Sequence, residues 1–141
     1  MRAVIGAVLM ALLAGALVLA QADKANGKAV KRFIGRCHCG HVRYQVGGAV
    51  VKCSYCDCRG CQRATGTLKA PFVTVRASDL TVTAGRPTVF QARPKARCDS
   101  YGAWHFCPRC GTQVFWKPVK GNQVDLFAGT LEDTTIFQCE E

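Results

Sequence analysis

Short β-rich segments separated by turns dominate the chain after residue 32. Residues 41–46 alternate strictly between polar and apolar, which places Val42, Tyr44 and Val46 on one face of a strand. Six further segments share β-branched and aromatic residues: 72–75, 80–83, 88–93, 101–106, 113–116 and 123–127. No window from Phe33 onward shows helical periodicity with caps. The pattern therefore predicts an all-β domain.

The N-terminal region has a different character. An uncharged apolar run occupies residues 3–20, after Arg2 and before the small-x-small sequence Ala-Gln-Ala at 20–22. Residues 1–22 are therefore predicted to be a signal peptide or a membrane anchor that contacts lipid through residues 3–20. A wrongly chosen start codon is the third alternative, and it would leave the protein cytoplasmic. Residues 23–32 form a basic linker, and residues 33–141 form the domain.

Seven of the ten cysteines lie in three tight clusters at spacings typical of metal ligands. Two clusters offer two thiols and the middle one offers three: Cys37 and Cys39, then Cys56, Cys58 and Cys61, then Cys107 and Cys110. Structural zinc is closed by four protein ligands, whereas catalytic zinc keeps one position free. The seven thiols divide accordingly into one closed four-thiolate site and one open three-thiolate site.

A disulfide framework is the main alternative, because cysteine-rich exported domains are usually oxidised. The spacing favours zinc, since Cys-x-Cys-Gly and Cys-x-x-Cys-Gly are knuckle forms and a Cys-x-Cys disulfide would be strained. The three remaining cysteines, Cys53, Cys98 and Cys139, are each predicted to be small buried apolar residues. An alternative zinc knuckle that pairs Cys53 with Cys56 is the rival interpretation.

The composition of the open site indicates its chemistry. Three thiolates donate strongly to zinc and weaken it as a Lewis acid for water, so a soft site with one vacancy favours an incoming thiol. Zinc binding would deprotonate that thiol at neutral pH and make it a nucleophile. Attack on an aldehyde held nearby would give a hemithioacetal, with proximity supplying much of the rate gain. Hydrolysis by zinc-bound hydroxide fits the donor set less well.

The clusters lie within four motifs that resemble, in order, those of the glutathione-dependent formaldehyde-activating enzyme family, which includes centromere protein V. The motifs are Gly-Arg-Cys-His-Cys-Gly-His-Val at 35–42, Cys-Asp-Cys-Arg-Gly-Cys-Gln-Arg-Ala-Thr-Gly at 56–66, Phe-Cys-Pro-Arg-Cys-Gly-Thr at 106–112 and Gly-Thr-Leu-Glu-Asp at 129–133. The resemblance covers residues 33–133. Four motifs in one order are specific, whereas one alone would be weak.

This resemblance implies a compact, mainly antiparallel β domain stapled by zinc, with two Zn²⁺ per chain. The implied ligands of the structural zinc are Cys37, Cys39, Cys107 and Cys110, and those of the catalytic zinc are Cys56, Cys58 and Cys61. The implied activity is that of a carbon–sulfur lyase or synthase. It would join glutathione and formaldehyde to S-hydroxymethylglutathione, or act on a related adduct, so the partners are a small-molecule thiol and an aldehyde. The additional Cys53 and the N-terminal apolar run depart from the family pattern.

Outside the cysteines, no second catalytic group stands out. His105 is a candidate proton shuttle, although a packed or surface histidine is the simpler interpretation. Arg59 and Arg63 flank the three-cysteine cluster and are candidate contacts for the carboxylates of glutathione. The simpler view is that they are solvated. The aromatic residues near the last cluster are expected to form core around the structural zinc: Trp104, Phe106, Phe115 and Trp116.

The formal net charge of +10, from 19 Lys and Arg against 9 Asp and Glu, raises a nucleic-acid hypothesis. Seven bound thiolates and two Zn²⁺ would lower it to about +7. The basic residues are scattered, and aromatic residues do not alternate with them as in single-strand binders. A thiol-dependent lyase is therefore favoured. A noncatalytic zinc-binding interaction module comes second and a nucleic-acid binder third, and oligomeric state is left open.

Overall fold

In the computed structural model, residues 32–91 and 102–139 are described. They form nine strands and one α-helix: β1 (Phe33–Arg36), β2 (Arg43–Val46), β3 (Lys52–Cys56), α1 (Arg59–Thr65), β4 (Ala70–Arg76), β5 (Leu80–Ala84), β6 (Thr88–Gln91), β7 (Gly102–Phe106), β8 (Gln113–Pro118) and β9 (Gln123–Phe127). The expected signal peptide or anchor, almost all of the linker, and Cys98 lie outside these ranges. Within them, no helix combines the length and apolar character needed to cross a bilayer.

The strands form two antiparallel sheets. A three-stranded sheet has the order β1-β2-β5, and a six-stranded sheet has the order β3-β4-β9-β8-β7-β6. An isolated bridge between Gly35 and Leu131 connects the first strand to the segment after β9. The prediction of a mainly β, antiparallel domain is therefore confirmed.

The main core lies between the two sheets. Val42, Tyr44 and Val46, the predicted apolar face of residues 41–46, are each at most 1% exposed. They pack with side chains of the large sheet that point to the same interior: Val73, Val75, Phe115, Val124 and Leu126. Because side chains alternate across a strand, the residues between these point to the opposite side of the large sheet. That side, defined here as the outer face, carries the three-cysteine cluster.

The helix α1 corrects the sequence prediction, which contained none after Phe33. It spans only seven residues, Arg59–Thr65, begins at Cys58 as its N-cap and ends at Gly66, whose φ is 73°. A helix of two turns is too short to establish an apolar stripe, so periodicity could not reveal it. The strands β1 and β3 were also missed, because their sequences, Phe-Ile-Gly-Arg and Lys-Cys-Ser-Tyr-Cys, contain one β-branched residue and none, respectively.

Candidate metal centres and active site

The first and last cysteine clusters meet in space. Their four Sγ atoms, from Cys37, Cys39, Cys107 and Cys110, all lie within 4.8 Å of one another. The Sγ of Cys39 is 3.6 Å from that of Cys37 and 3.7 Å from that of Cys107. A tetrahedral ion with Zn–S bonds of about 2.3 Å requires sulfurs about 3.8 Å apart. The donor set therefore fits a closed zinc site.

Tight turns present these sulfurs. Gly40 and Gly111 follow the two Cys pairs and have φ values of 72° and 73°, a conformation that other residues rarely adopt. Their N–H groups donate to the carbonyls of Cys37 and Cys107, each at 2.9 Å. The N–H of Val42 donates to the Cys37 Sγ at 3.2 Å, which stabilises negative charge on the sulfur. These are the knuckle turns expected from the spacing.

The thiols of this cluster differ in acidity. The backbone N–H of His41 lowers the pKa of Cys39, but burial and the neighbouring cysteines outweigh it and raise that pKa to about 11. The pKa of Cys110 shifts in the opposite direction. The Thr112 hydroxyl lies 3.1 Å from the Cys110 Sγ, and this contact is the largest of several that lower the pKa of Cys110 to about 5. A ligand thiol that is deprotonated near neutral pH binds metal without losing a proton first. Thr112 therefore supports the ionised state of one of the four donors.

The middle cluster gathers at the start of α1. The Sγ atoms of Cys56, Cys58 and Cys61 lie within 4.8 Å of one another. Cys56 ends β3, Cys58 caps the helix, and Cys61 faces inward from its first turn. The N–H of Cys61 donates to the Cys58 Sγ at 3.4 Å. One local turn thus brings the three sulfurs together, as the sequence analysis expected.

The three sulfurs are not equivalent. Cys56 and Cys61 are free thiols, whereas Cys58 is disulfide-bonded in this structure. Burial is the main factor that raises the pKa of the Cys61 thiol to about 12, and the charges of Cys56, Asp125 and Asp57 add to it. A cation among the sulfurs would offset that repulsion and the cost of burial. The set fits a soft metal once Cys58 is reduced.

An aromatic row adjoins the three-cysteine cluster on the outer face. Cys61 packs with Phe72 and Phe127, and Trp104 packs against the same group. The ring centroids of Phe72 and Phe127 are 4.8 Å apart, and those of Trp104 and Phe127 are 6.0 Å apart. Trp116 extends the row at 6.5 Å from Trp104. The expectation that four aromatic residues form core around the structural zinc is therefore wrong for Trp104 and Trp116, which lie in this row. Of those four residues, only Phe115 joins the main core.

A disulfide joins Cys53 to Cys139 across 86 residues of sequence. Their interpretation as buried apolar residues is therefore wrong, and Cys53 is not the partner of Cys56 in a zinc knuckle. In β3, Cys53 pairs with Val73, which faces the main core, so the disulfide lies on the side of the sheet opposite the three-cysteine cluster. Such a distant pairing leaves no spacing signal in the sequence.

His105 lies on the face of the large sheet opposite the three-cysteine cluster. Its ring stacks on Phe115 with centroids 4.3 Å apart, and its Nδ1 is 3.3 Å from the carbonyl oxygen of Ala103. Burial lowers its pKa, which keeps the ring neutral. Phe115 belongs to the main core, so His105 lies on the face away from the three cysteines. The simpler interpretation, a packed histidine, describes this geometry.

The candidate carboxylate contacts lie on the exposed side of α1. Arg59 and Arg63 are both solvent-exposed, and one guanidinium nitrogen of Arg59 donates to the Gln62 Oε1 at 2.6 Å. Neither arginine forms an ion pair with another described residue. Arg59 is the first residue of α1 and Arg63 lies in its last turn, so their role as carboxylate contacts stays a prediction.

The motif at residues 129–133 serves the fold. The Thr130 hydroxyl is 2.8 Å from the Tyr44 hydroxyl, Glu132 forms an ion pair with Arg36, and an oxygen of Asp133 accepts from the N–H of Thr135 at 3.1 Å. The first two contacts attach the segment after β9 to β1 and β2, and the third caps the short 3₁₀ helix Thr134–Ile136. The residues of this motif therefore have a structural role in this chain.

Comparisons with known proteins agree with this architecture. The family model described as glutathione-dependent formaldehyde-activating enzyme matches residues 32–140. A crystal structure of a Rhodobacter sphaeroides protein is similar, with a TM-score of 0.56 and 27% identity over 70% of this chain and 87% of that one. No curated protein matches significantly. The family match spans most of the chain and all seven clustered cysteines, so this protein belongs to the glutathione-dependent formaldehyde-activating enzyme family.

Proposed function

We propose that the protein is a zinc-dependent carbon–sulfur lyase or synthase. It joins glutathione, or another thiol, to formaldehyde and forms S-hydroxymethylglutathione or the corresponding adduct. Glutathione-dependent formaldehyde activation is the activity for which the family is named. The observation that carries the proposal is the three-sulfur cluster, which leaves one position of a tetrahedral ion for a substrate.

The proposal assigns two Zn²⁺ per chain with different tasks. Cys37, Cys39, Cys107 and Cys110 hold the structural ion, because all four tetrahedral positions are filled by sulfur. Cys56, Cys58 and Cys61 are the ligands of the catalytic ion. Zinc in this second site supplies a soft Lewis acid that favours the thiolate form of an incoming thiol.

Residues around the cluster exclude water and bind the substrate. Phe72, Phe127 and Trp104 pack against the cysteines and exclude water from that side of the cluster. The thiol sulfur bonds to the aldehyde carbon, the carbonyl π bond breaks, and the carbonyl oxygen takes up the proton that the thiol gave up. Arg59 and Arg63 bind a carboxylate of the thiol substrate. No oxidant or reductant is consumed.

The redox state of Cys58 is part of the proposal. A sulfur in a disulfide bond does not offer the thiolate that zinc binding requires, so the active form is the one with Cys58 reduced. In the oxidising compartment proposed below, this reduction would have to come from the thiol substrate itself, by thiol–disulfide exchange. Activity should therefore rise after preincubation with a reductant and zinc.

We also propose that the domain works in an oxidising compartment, with residues 1–22 as its export signal or anchor. The Cys53–Cys139 disulfide supports this location, because disulfides persist mainly in exported proteins. An exported protein would meet little glutathione, so the proposal keeps another thiol as an alternative substrate.

Two measurements on reduced, metal-loaded protein test the proposed reaction. Cobalt in place of zinc should change its thiolate charge-transfer and d–d bands when glutathione is added, and ¹³C-formaldehyde with glutathione should give the hydroxymethyl adduct faster than in the enzyme-free control. Cys56→Ser should lose both responses. Unchanged spectra with every thiol, together with an adduct rate equal to the control, would refute the lyase and favour a noncatalytic zinc module.

A further inference from the structure

The outer face of the large sheet carries one carboxylate within its aromatic row. Asp125 is two residues before Phe127 on β9 and pairs directly with Thr74 of β4 and Trp116 of β8. Because side chains two residues apart point to the same face, Asp125 projects on the side that holds Phe127 and the three-cysteine cluster. Its charge is one of several that raise the pKa of Cys61, after burial and Cys56.

Asp125 is only partly neutralised by its neighbours. Its Oδ1 accepts a hydrogen bond of 2.6 Å from the hydroxyl of Thr74, which is 1% exposed. Among residues 32–91 and 102–139, no lysine, arginine or histidine forms an ion pair with it. Lys52, which faces Thr74 across the ladder, is exposed and makes no such contact. One oxygen of a half-buried carboxylate thus remains to bind a ligand.

The environment of Asp125 suits a cation. Trp116 lies beside it in the sheet, and Trp104 lies next to Trp116. Indole faces attract an ammonium group, and a carboxylate accepts a charge-assisted hydrogen bond from it. The chain as a whole carries a formal charge of +10, so its long-range field favours anions. Any preference for a cation must therefore come from a local group such as this one.

We infer that Asp125 is a specificity-determining residue that binds the protonated amino group of an aminothiol whose sulfur approaches Cys56, Cys58 and Cys61. The inference rests on the proposed thiol-binding function and adds the chemical class of the substrate, a thiol that also carries an ammonium group. Phe127, two residues along β9 from Asp125, packs with Cys61 between the two groups, and Trp116 lies beside Asp125 in the sheet.

A series of thiols with different charge tests the inference. The dissociation constants of cysteamine, 2-mercaptoethanol and 3-mercaptopropionate are measured by calorimetry on reduced, zinc-loaded protein, with quenching of tryptophan fluorescence as a second readout. Glutathione is compared with its N-acetyl derivative, which lacks the ammonium group. Cysteamine should bind about 10-fold more tightly than 2-mercaptoethanol, as expected for one charge-assisted hydrogen bond.

Two variants test whether Asp125 causes the preference for cysteamine. Asp125→Asn keeps the oxygen that accepts from Thr74 and should reduce the preference for cysteamine to about 2-fold or less, with 2-mercaptoethanol unaffected. Asp79→Asn is the matched control, because Asp79 lies in the short 3₁₀ helix Ala77–Asp79 and should leave the preference unchanged. Circular dichroism checks the fold, and the thiol series on unmodified protein tests the inference even if Asp125→Asn does not fold.

The outcomes separate this inference from the proposed function. Binding of all three thiols with equal affinity would overturn the role of Asp125 and leave thiol binding intact. Preference for 3-mercaptopropionate would also overturn it and would favour Arg59 and Arg63 as the specificity residues. Equal loss of affinity for every thiol in Asp125→Asn would overturn it as well, since Asp125 would then act through Cys61. Absence of binding by any thiol would overturn both proposals.

Discussion

The two sulfur clusters use the same donor atom but are built in opposite ways. The four-cysteine cluster joins segments 68 residues apart, and its Cys37 and Cys107 are at most 1% exposed. The three-cysteine cluster comes from one stretch, residues 56–61, at the end of a strand and the start of a short helix. A long-range cluster contributes to the stability of the whole domain, whereas a local one can gain, lose or exchange a ligand with little effect on the fold.

The largest effect should follow from opening the long-range cluster. Cys107→Ser removes one of four donors, and structural zinc in small domains contributes about 10–16 kcal/mol to folding. This exceeds or matches the total stability of most domains, which is about 5–15 kcal/mol. We expect little soluble folded protein, measured by circular dichroism and expression yield. A cooperative unfolding transition close to that of the unmodified chain would show that this cluster does not hold the fold.

Changing the local cluster should affect thiol binding and leave the fold intact. Serine is a good N-cap, so Cys58→Ser preserves the start of α1 while it removes a zinc donor. Compared with the unmodified protein in its reduced form, in which Cys58 is not disulfide-bonded, we expect a similar melting temperature, loss of the exchangeable metal, and a drop of at least about 100-fold in thiol affinity. Cys56→Ser is a second test, because Cys56 is a free thiol. If both variants unfold as Cys107→Ser does, the contrast between the clusters is wrong.

The disulfide should give an intermediate effect. It closes a long loop, and removal of such a bond costs about 2–4 kcal/mol. Replacing Cys53 and Cys139 together by serine should lower the midpoint of urea unfolding, with zinc content unchanged. The thiol response of the other face should also persist, since the disulfide lies on the opposite side of the sheet. Loss of zinc in this double variant would contradict the separation of the two faces.

The smallest effect concerns pH. Burial lowers the pKa of His105 from its usual 6.5, so the unfolded chain takes up this proton first as pH falls. The contribution of neutral His105 to the free energy of unfolding is fully present above pH 6.5 and decreases below it. His105→Phe keeps the stack on Phe115 and removes this titration. Between pH 7.5 and 5.5 the unmodified protein should lose more stability than the variant, and equal losses in urea titrations would rule the contribution out.

The sequence predicted those features that depend on local patterns. Alternation identified the buried face of residues 41–46, and Cys-Gly spacing identified both knuckle turns. Features that arise from tertiary contact were missed. The Cys53–Cys139 pairing has no local signature, and the position of Trp104 on the outer face depends on strand register. Asp125 lies in an ordinary alternating strand, so only the sheet reveals its place beside the cysteines.

The most direct test of the contrast between the clusters is stepwise chelation of fully reduced, zinc-loaded protein. A mild chelator is titrated while zinc release and circular dichroism are recorded together, after elemental analysis of the starting material. We expect two zinc ions per chain, with the first leaving before any loss of structure and the second leaving together with the fold. One zinc ion per chain, or the release of both ions in a single step with unfolding, would contradict the division into one exchangeable and one structural site.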